Sequence, residues 1–276
     1  MHGFLIVLYN TSLYDSLSFQ SLLKIASRKN DAFTVYVWDN SEVAMHKSHK
    51  FVAEQGLNII YFHEAHNINL SKIYNTVLDM ALPSHEYITI LDQDTVLDER
   101  FLDSIPKDNR VLVVPRVQSS LSKKMISPRW QYHYYFINHC KVKSEIDDFS
   151  SGIKKAEGFF SVGSGLTINN EIWNRGIRFN EGLSFYGVDT EFCNSYAKLY
   201  DDFLLLNSTF LHSPSNEEFE DYNVYKWRVG KYAEYWAYQL STYTKINRSI
   251  IKILVRAFIL SMIINKKIKM MVCKVL

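Results

Sequence analysis

The sequence predicts an α/β domain, a mostly parallel sheet flanked by helices, followed by a C-terminal helical appendage. Three observations predict it. Short apolar runs alternate with segments of helical spacing through the first hundred residues. The runs are short and mostly apolar, the first of them continuous, as expected of strands buried in a parallel sheet. Glycine and proline number only 10 and 5 in 276 residues, which leaves little room for flexible linkers.

Each element has its own signal. Phe4 to Tyr9 is a continuous apolar run that stops at Asn10-Thr11-Ser12, and Leu13 to Ser27 then carries apolar residues at helical spacing. Phe33 to Trp38 is a second strand, closed by Asp39-Asn40-Ser41, with a mixed helical segment expected over Ser41 to Gln55. Leu57 to Phe62 reads as a strand, Leu70 to Ala81 as a helix, and Tyr87 to Leu91 as a strand ending in Asp92. A further helix is expected over Leu97 to Leu102. Val111 to Arg116 is strand-like, and the aromatic, basic stretch from Val117 to Gly158 has no regular pattern. A short helix begins over Glu171 to Arg175, another runs over Asp189 to Tyr200, and Phe203 to Leu211 is a last strand ending at His212. The expected domain therefore spans 1–220. Residues 221–276 form the appendage, with an aromatic helix over Tyr225 to Tyr243. In a parallel sheet ligands bind beyond the carboxyl ends of the strands, where these polar clusters fall.

The bulk numbers exclude several classes. A net charge of +2 argues against a nucleic-acid partner. Cys140, Cys193 and Cys273 are far apart and form no CxxC pair, so neither a disulfide framework nor a zinc site is expected, and a reducing compartment fits. The opening MHGFLIVLYN reads as a buried strand rather than a signal peptide. The tail differs from the rest. After Glu234 there is no acidic residue, and Arg248, Lys252, Arg256, Lys266, Lys267, Lys269 and Lys274 are set among aliphatic residues. That composition suits a helix lying in the surface of an anionic membrane, or one packed on the domain or a second subunit.

The chemistry centres on Asp92-Gln93-Asp94. Two carboxylates just past a buried strand repel each other and are costly to desolvate. A divalent cation offsets that cost, and Mg²⁺ or Mn²⁺ prefers such oxygen ligands together with substrate phosphates. Asp39 opens an Asp-Asn-Ser run that suits a helix cap, and the family resemblance drawn below implies instead an acceptor for a pyrimidine N3–H. Asp189 and Glu191 suit an acidic first helical turn, where the same resemblance implies a base with a neighbouring charge. Gly163-Ser164-Gly165 is a small-residue turn, which the resemblance sets under the acceptor sugar. Trp130, Tyr132, Tyr134 and Tyr135 are candidates for a sugar-stacking wall, although aromatic residues in such number are usually core.

These segments together resemble a family 2 glycosyltransferase of the GT-A fold over roughly residues 3 to 215. The resemblance rests on LIVLYN with Ser12, VYVWDNSE, NINLSKIYN, LDQDTVLDERFL and FNEGLSFYGVDTEF followed by FLH. The forms LDQDT and FYGVDTEF are closest to the rhamnosyltransferase-like branch of bacterial surface-polysaccharide enzymes. The resemblance implies that Tyr9, Asn10, Asp39, Asn40, Asn67, Asn75, Asp92 and Gln93 line the donor site. It implies Asp92, Asp94 and His212 as metal or diphosphate contacts, Asp189 as catalytic base, and Gly163, Ser164, Gly165 and Glu191 on the acceptor side. Asn69 stands where the family's pattern has a glycine, and Val188 where it has a glutamate.

The expected reaction is inverting transfer of a sugar from dTDP-rhamnose or a UDP-hexose to a lipid-linked oligosaccharide. It would serve O-antigen or capsule synthesis, with the protein peripheral on the cytoplasmic face of the membrane. A sugar nucleotidyltransferase is the alternative, but NTSLYDS after the first strand lacks the glycine-rich phosphate loop. A catalytically silent binding protein on the same fold is another, disfavoured because Asp94 and Asp189 are both present. The absence of GxGxxG near the start disfavours a dehydrogenase.

Overall fold

The computed structural model describes residues 2–29, 33–46, 57–107, 110–133, 140–143, 150–214 and 221–275. Its strands are β1 (His2–Leu8), β2 (Phe33–Asp39), β3 (Leu57–His63), β4 (Tyr87–Asp92), β5 (Val113–Ser119), β6 (Met125–Ser127), β7 (Arg129–His133), β8 (Cys140–Lys143), β9 (Gly152–Lys155), β10 (Phe159–Phe160), β11 (Thr167–Asn169) and β12 (Asp202–His212). Its helices are α1 (Leu17–Lys29), α2 (Leu70–Ala81), α3 (Asn170–Asn174), α4 (Val188–Tyr196), α5 (Tyr222–Tyr243) and α6 (Arg248–Val275).

The main sheet has the order β3-β2-β1-β4-β11-β5-β12-β9, with β6 paired to β5. The pairs β3–β2, β2–β1, β1–β4 and β5–β12 are parallel. β11 runs antiparallel between β4 and β5. Every residue of β2 is buried, as expected of a strand covered on both faces. Side chains alternate between two cores. Leu5, Val7, Tyr36, Trp38, Ile88 and Ile90 pack with Ile73, Val77 and Leu78 of α2 and Phe192 and Tyr196 of α4. Phe4, Ile6, Leu8, Val35, Val37 and Leu91 pack on the other face with Phe19, Leu22 and Ile25 of α1. A smaller sheet has the order β10-β7-β8.

Two expected helices differ from the structure. Residues 41–46 are not helical, because the Asp39 carboxylate accepts the backbone N–H groups of Ser41 and Met45 and folds the chain into a turn. The rest of that expected helix, 47–55, lies outside the described residues. Leu97 to Leu102 is a series of turns that runs into a 3₁₀ turn at Leu102–Ser104. Val96 is bridged to Leu211 through reciprocal backbone bonds of 2.8 and 2.9 Å, which hold the chain extended there. The Asp98 side chain then accepts the N–H of Arg100 at 2.9 Å, a local turn bond that competes with helix.

Candidate active site

β4 ends in Asp92, and the turn that follows is held by hydroxyl groups from outside it. Ser18 donates to the carbonyl of Asp92 and, at 3.1 Å, to that of Thr95. Ser16 donates to the carbonyl of Gln93 at 3.0 Å. Ser164 Oγ accepts the N–H of Asp92 at 3.1 Å and pairs with the Thr95 hydroxyl at 2.6 Å. The backbone of Asp92-Gln93-Asp94 is thus fixed without using its two carboxylates.

The Val96–Leu211 bridge brings the end of β12 beside this turn. His212 Nδ1 lies 3.2 Å from Asp94 Oδ1, and Nε2 lies 4.0 Å from Asp92 Oδ2. The N–H of Ser213 donates to Asp94 Oδ2 at 3.2 Å. One ligand atom from each of Asp92, Asp94 and His212 falls within 4.8 Å of the others. Burial pushes the Asp92 carboxyl up to about 6, with Asp94 and Asp189 adding to the rise and His212 opposing it. This is an under-neutralised cluster of two carboxylates and an imidazole. Mg²⁺ and Mn²⁺ favour carboxylate oxygen, and a first-row divalent ion also accepts imidazole. The donor set therefore fits such a cation.

Asp189 lies in the first turn of α4. The turn is entered through Gly187, at φ 79°, which serves as the N-cap. A Cβ at Gly187 would lie 2.0 Å from the Tyr235 ring, so glycine is required by both conformation and packing. The Asp189 Oδ1 accepts the N–H of Thr190 at 2.8 Å, and the Gly163 N–H also favours its charged form. Burial outweighs these donors and pushes the Asp189 carboxyl above the ordinary range. The charges of Asp92 and Asp189 both act on the buried hydroxyl of Tyr74, whose pKa is raised first by burial and then by these two carboxylates. Asp92, Asp94, His212 and Asp189 thus share one end of the sheet, with Tyr74 beneath. Tyr74 was missed in the sequence; a lone phenol on the apolar face of α2 was its only local signal.

Other expected site residues hold the framework. Asp39 is fully buried. Its carboxylate accepts from Ser41 N at 3.1 Å, Met45 N at 2.7 Å and the Tyr61 hydroxyl. Burial works against its ionisation, but these donors together hold its pKa below the usual value. The oxygens that the sequence reading offers to a pyrimidine are therefore taken by the chain in this conformation. Asn40 accepts from Ile68 N and donates to Asn67 Oδ1 and Ile68 O at 2.7–2.9 Å, which ties the end of β2 to the approach to α2. Asn75 donates to Phe179 O and Glu181 Oε1 and accepts from Phe179 N, all at 2.9 Å. Its amide anchors the 179–181 loop. Gln93 Oε1 accepts the N–H of Tyr9 at 2.7 Å, linking the ends of β4 and β1. Asn10 takes φ 51° and donates to Ser41 Oγ at 2.8 Å. Tyr9 is 47% exposed beside these groups.

The residues expected on the acceptor side also have partners within the chain. Glu191 is buried and accepts from the Tyr243 hydroxyl at 2.5 Å and Asn194 Nδ2 at 3.1 Å, so it latches α4 to α5. Ser164 is fully buried under the Asp92 turn. Gly165, at φ 95°, would place a Cβ 2.4 Å from Pro115 Cγ, so its glycine serves packing onto β5. Gly163 alone of the three acts on the catalytic candidate, through its N–H toward Asp189. Trp130 donates to the carbonyl of Lys155 at 3.2 Å and packs, partly buried, against the core near Phe203. The Tyr132 side chain, Tyr134 and Tyr135 lie outside the described residues.

No protein-family model matches the chain, and no curated protein matches it by sequence. Among solved structures, Staphylococcus aureus TarS 1-349 in complex with UDP-GlcNAc is similar, with a TM-score of 0.51 and 12% identity over 93% of this chain and 71% of that one. TarS 1-349 in another crystal structure gives a TM-score of 0.48 and 14% identity over 95% and 71% of the two chains. The first of these carries the comparison. It shows that the two chains share a fold, a mostly parallel sheet flanked by helices.

Proposed function

We propose that the protein is an inverting, metal-dependent glycosyltransferase that uses a pyrimidine nucleotide-sugar. The observation that carries this reading is the convergence of Asp92, Asp94 and His212 at the end of the sheet that also holds Asp189. Asp92, Asp94 and His212 would hold Mg²⁺ or Mn²⁺, which when bound supplies positive charge to the diphosphate as it leaves. Asp94 is the principal carboxylate of that set.

Asp189 acts as the general base. The acceptor hydroxyl oxygen forms a bond to the anomeric carbon while the bond from that carbon to the diphosphate oxygen breaks. The bonding electrons leave with the diphosphate, and the hydroxyl proton passes to an Asp189 carboxylate oxygen. The raised pKa of Asp189 strengthens it as a proton acceptor. Gly163 and Thr190 orient its oxygens. Attack opposite the leaving group inverts the anomeric centre, and no enzyme nucleophile is needed.

Tyr9 offers its exposed ring to the donor. TarS, which shares the fold, has been crystallised with UDP-GlcNAc, and this supports a uridine diphosphate sugar over dTDP-rhamnose among the candidate donors. A lipid-linked oligosaccharide at the cytoplasmic membrane face, within surface-polysaccharide synthesis, is the proposed acceptor; the basic tail supports it. The test is a panel of UDP-GlcNAc, UDP-glucose and dTDP-rhamnose, each with Mn²⁺ or with chelator, read by nucleotide diphosphate release. One donor should be turned over only with metal. Turnover of none, or equal turnover in chelator, overturns the reading.

A further inference from the structure

α5 and α6 pack against each other along one face of α6. Phe258 meets Tyr232 and Trp236 with ring centroids 6.2 and 5.0 Å apart, and the Tyr225 hydroxyl donates to Met262 O at 3.2 Å. Ile251 is buried on the same face. At 3.6 residues per turn, the opposite side of α6 presents Ile250, Ile253, Leu254, Ala257, Leu260 and Ile264. Among the described residues this side is exposed: Ile253 is 66% exposed, Leu260 59%, and Ile250 and Ile264 52% each. Aliphatic residues so open, aligned over about 21 Å of helix, form a contiguous apolar stripe of the kind that marks an interaction surface.

The charge beside the stripe selects its occupant. Lys252 and Arg256 lie one turn apart along one edge and are exposed. The chain from Tyr235 to Leu276 contains eight lysine and arginine residues and no acidic one. A second copy of the chain would bring the same positive charge against itself, whereas an anionic lipid surface complements it. No helix among the described residues is long and apolar enough to cross a membrane. An apolar face with a basic edge then suits a helix lying in the interface plane.

We infer that this face of α6 is a docking surface for an anionic lipid bilayer, and that α5 couples it to the helix bearing Asp189. α5 reaches α4 and its approach through the Tyr243 hydroxyl on Glu191, the Tyr235 ring over Gly187, and the Tyr238 hydroxyl that accepts from Asn180 Nδ2 at 2.9 Å. A protein docked through α6 therefore holds the proposed base at a set orientation to the lipid surface. The docking itself does not rest on the glycosyltransferase reading.

Co-sedimentation of the full chain with vesicles tests it, using vesicles that contain phosphatidylglycerol and vesicles of phosphatidylcholine alone. The wild type should bind the first and not the second. The double variant Ile253→Asp, Leu260→Asp should lose at least ~10-fold in affinity, since it removes two apolar insertions. Its melting temperature should stay close to that of the wild type, because both positions are exposed. Lys252→Glu with Arg256→Glu should also weaken binding, and added salt should do the same. Absence of wild-type binding, or equal binding by the Ile253/Leu260 variant, overturns the inference. So does a wild-type dimer that this variant dissociates while neither protein binds vesicles. The assay contains no donor sugar, so failure of the proposed transfer reaction leaves its result standing.

Discussion

The ends of β2 and β4 carry superficially similar acidic turns, yet the fold uses them in opposite ways. At the end of β4 the backbone is held by hydroxyls of Ser16, Ser18 and Ser164, and the side chains of Asp92 and Asp94 keep 35% and 31% of their surface exposed. At the end of β2 the Asp39 carboxylate itself holds the backbone, through Ser41 and Met45, and is fully buried. A carboxylate whose turn is fixed by other groups is available for a ligand. One that fixes its own turn is already spent on structure. Asn75 and Glu191 belong with Asp39 by this criterion, whereas Asp189 accepts backbone N–H groups as Asp39 does but is only partly buried.

Substitutions can break this contrast. The largest effect is expected at Asp189. Asp189→Asn should lower transfer by roughly 10²- to 10⁴-fold, the range for loss of a general base. Donor binding and melting temperature should be nearly unchanged. A rate close to wild type would move the base elsewhere. Next is Asp39→Ala, which should destabilise the protein by about 3 kcal/mol in urea unfolding, since it strands the buried donors of Ser41, Met45 and Tyr61. Asp94→Ala, in contrast, should change the stability of the metal-free protein by less than about 1 kcal/mol, the scale of a partly exposed ion pair. Equal losses at the two positions would erase the distinction.

The smallest effect is a pH dependence. The Asp92 carboxyl is raised from 3.8 to about 6 in the folded protein. Between those values the folded chain holds a proton that the unfolded chain has released, so stability falls as pH rises through that window and stays at the lower level above it. Asp92→Asn should remove this fall in the metal-free protein. It should raise stability at pH 8 by about 1 kcal/mol, after discounting for the solvent screening of a group about one third exposed. An unchanged pH profile would show that Asp92 is not desolvated.

Much of the framework was legible because it is local. β1 to β4 are mostly apolar runs, and α2 has the bounds that its spacing predicts. The expected helix at Leu97 to Leu102 failed because Val96 is recruited by Leu211, over a hundred residues away. The antiparallel insertion of β11 between β4 and β5 leaves no mark in its own three residues. In the site, the carboxylates were visible as residue types at strand ends. What each carboxylate touches was not. Glu191 has its partner Tyr243 on a helix 52 positions later, and Asp39 has Tyr61 on the neighbouring strand. Spacing reports that a polar group sits at a strand end, whereas long-range partners decide whether that group remains available.

The most direct test of the account is calorimetric titration of the wild type and Asp94→Ala with UDP-GlcNAc, each with Mn²⁺ and with chelator. The account predicts binding by the wild type that requires Mn²⁺ and is lost in Asp94→Ala. Binding that is equally strong in chelator, or unchanged in Asp94→Ala, would contradict it.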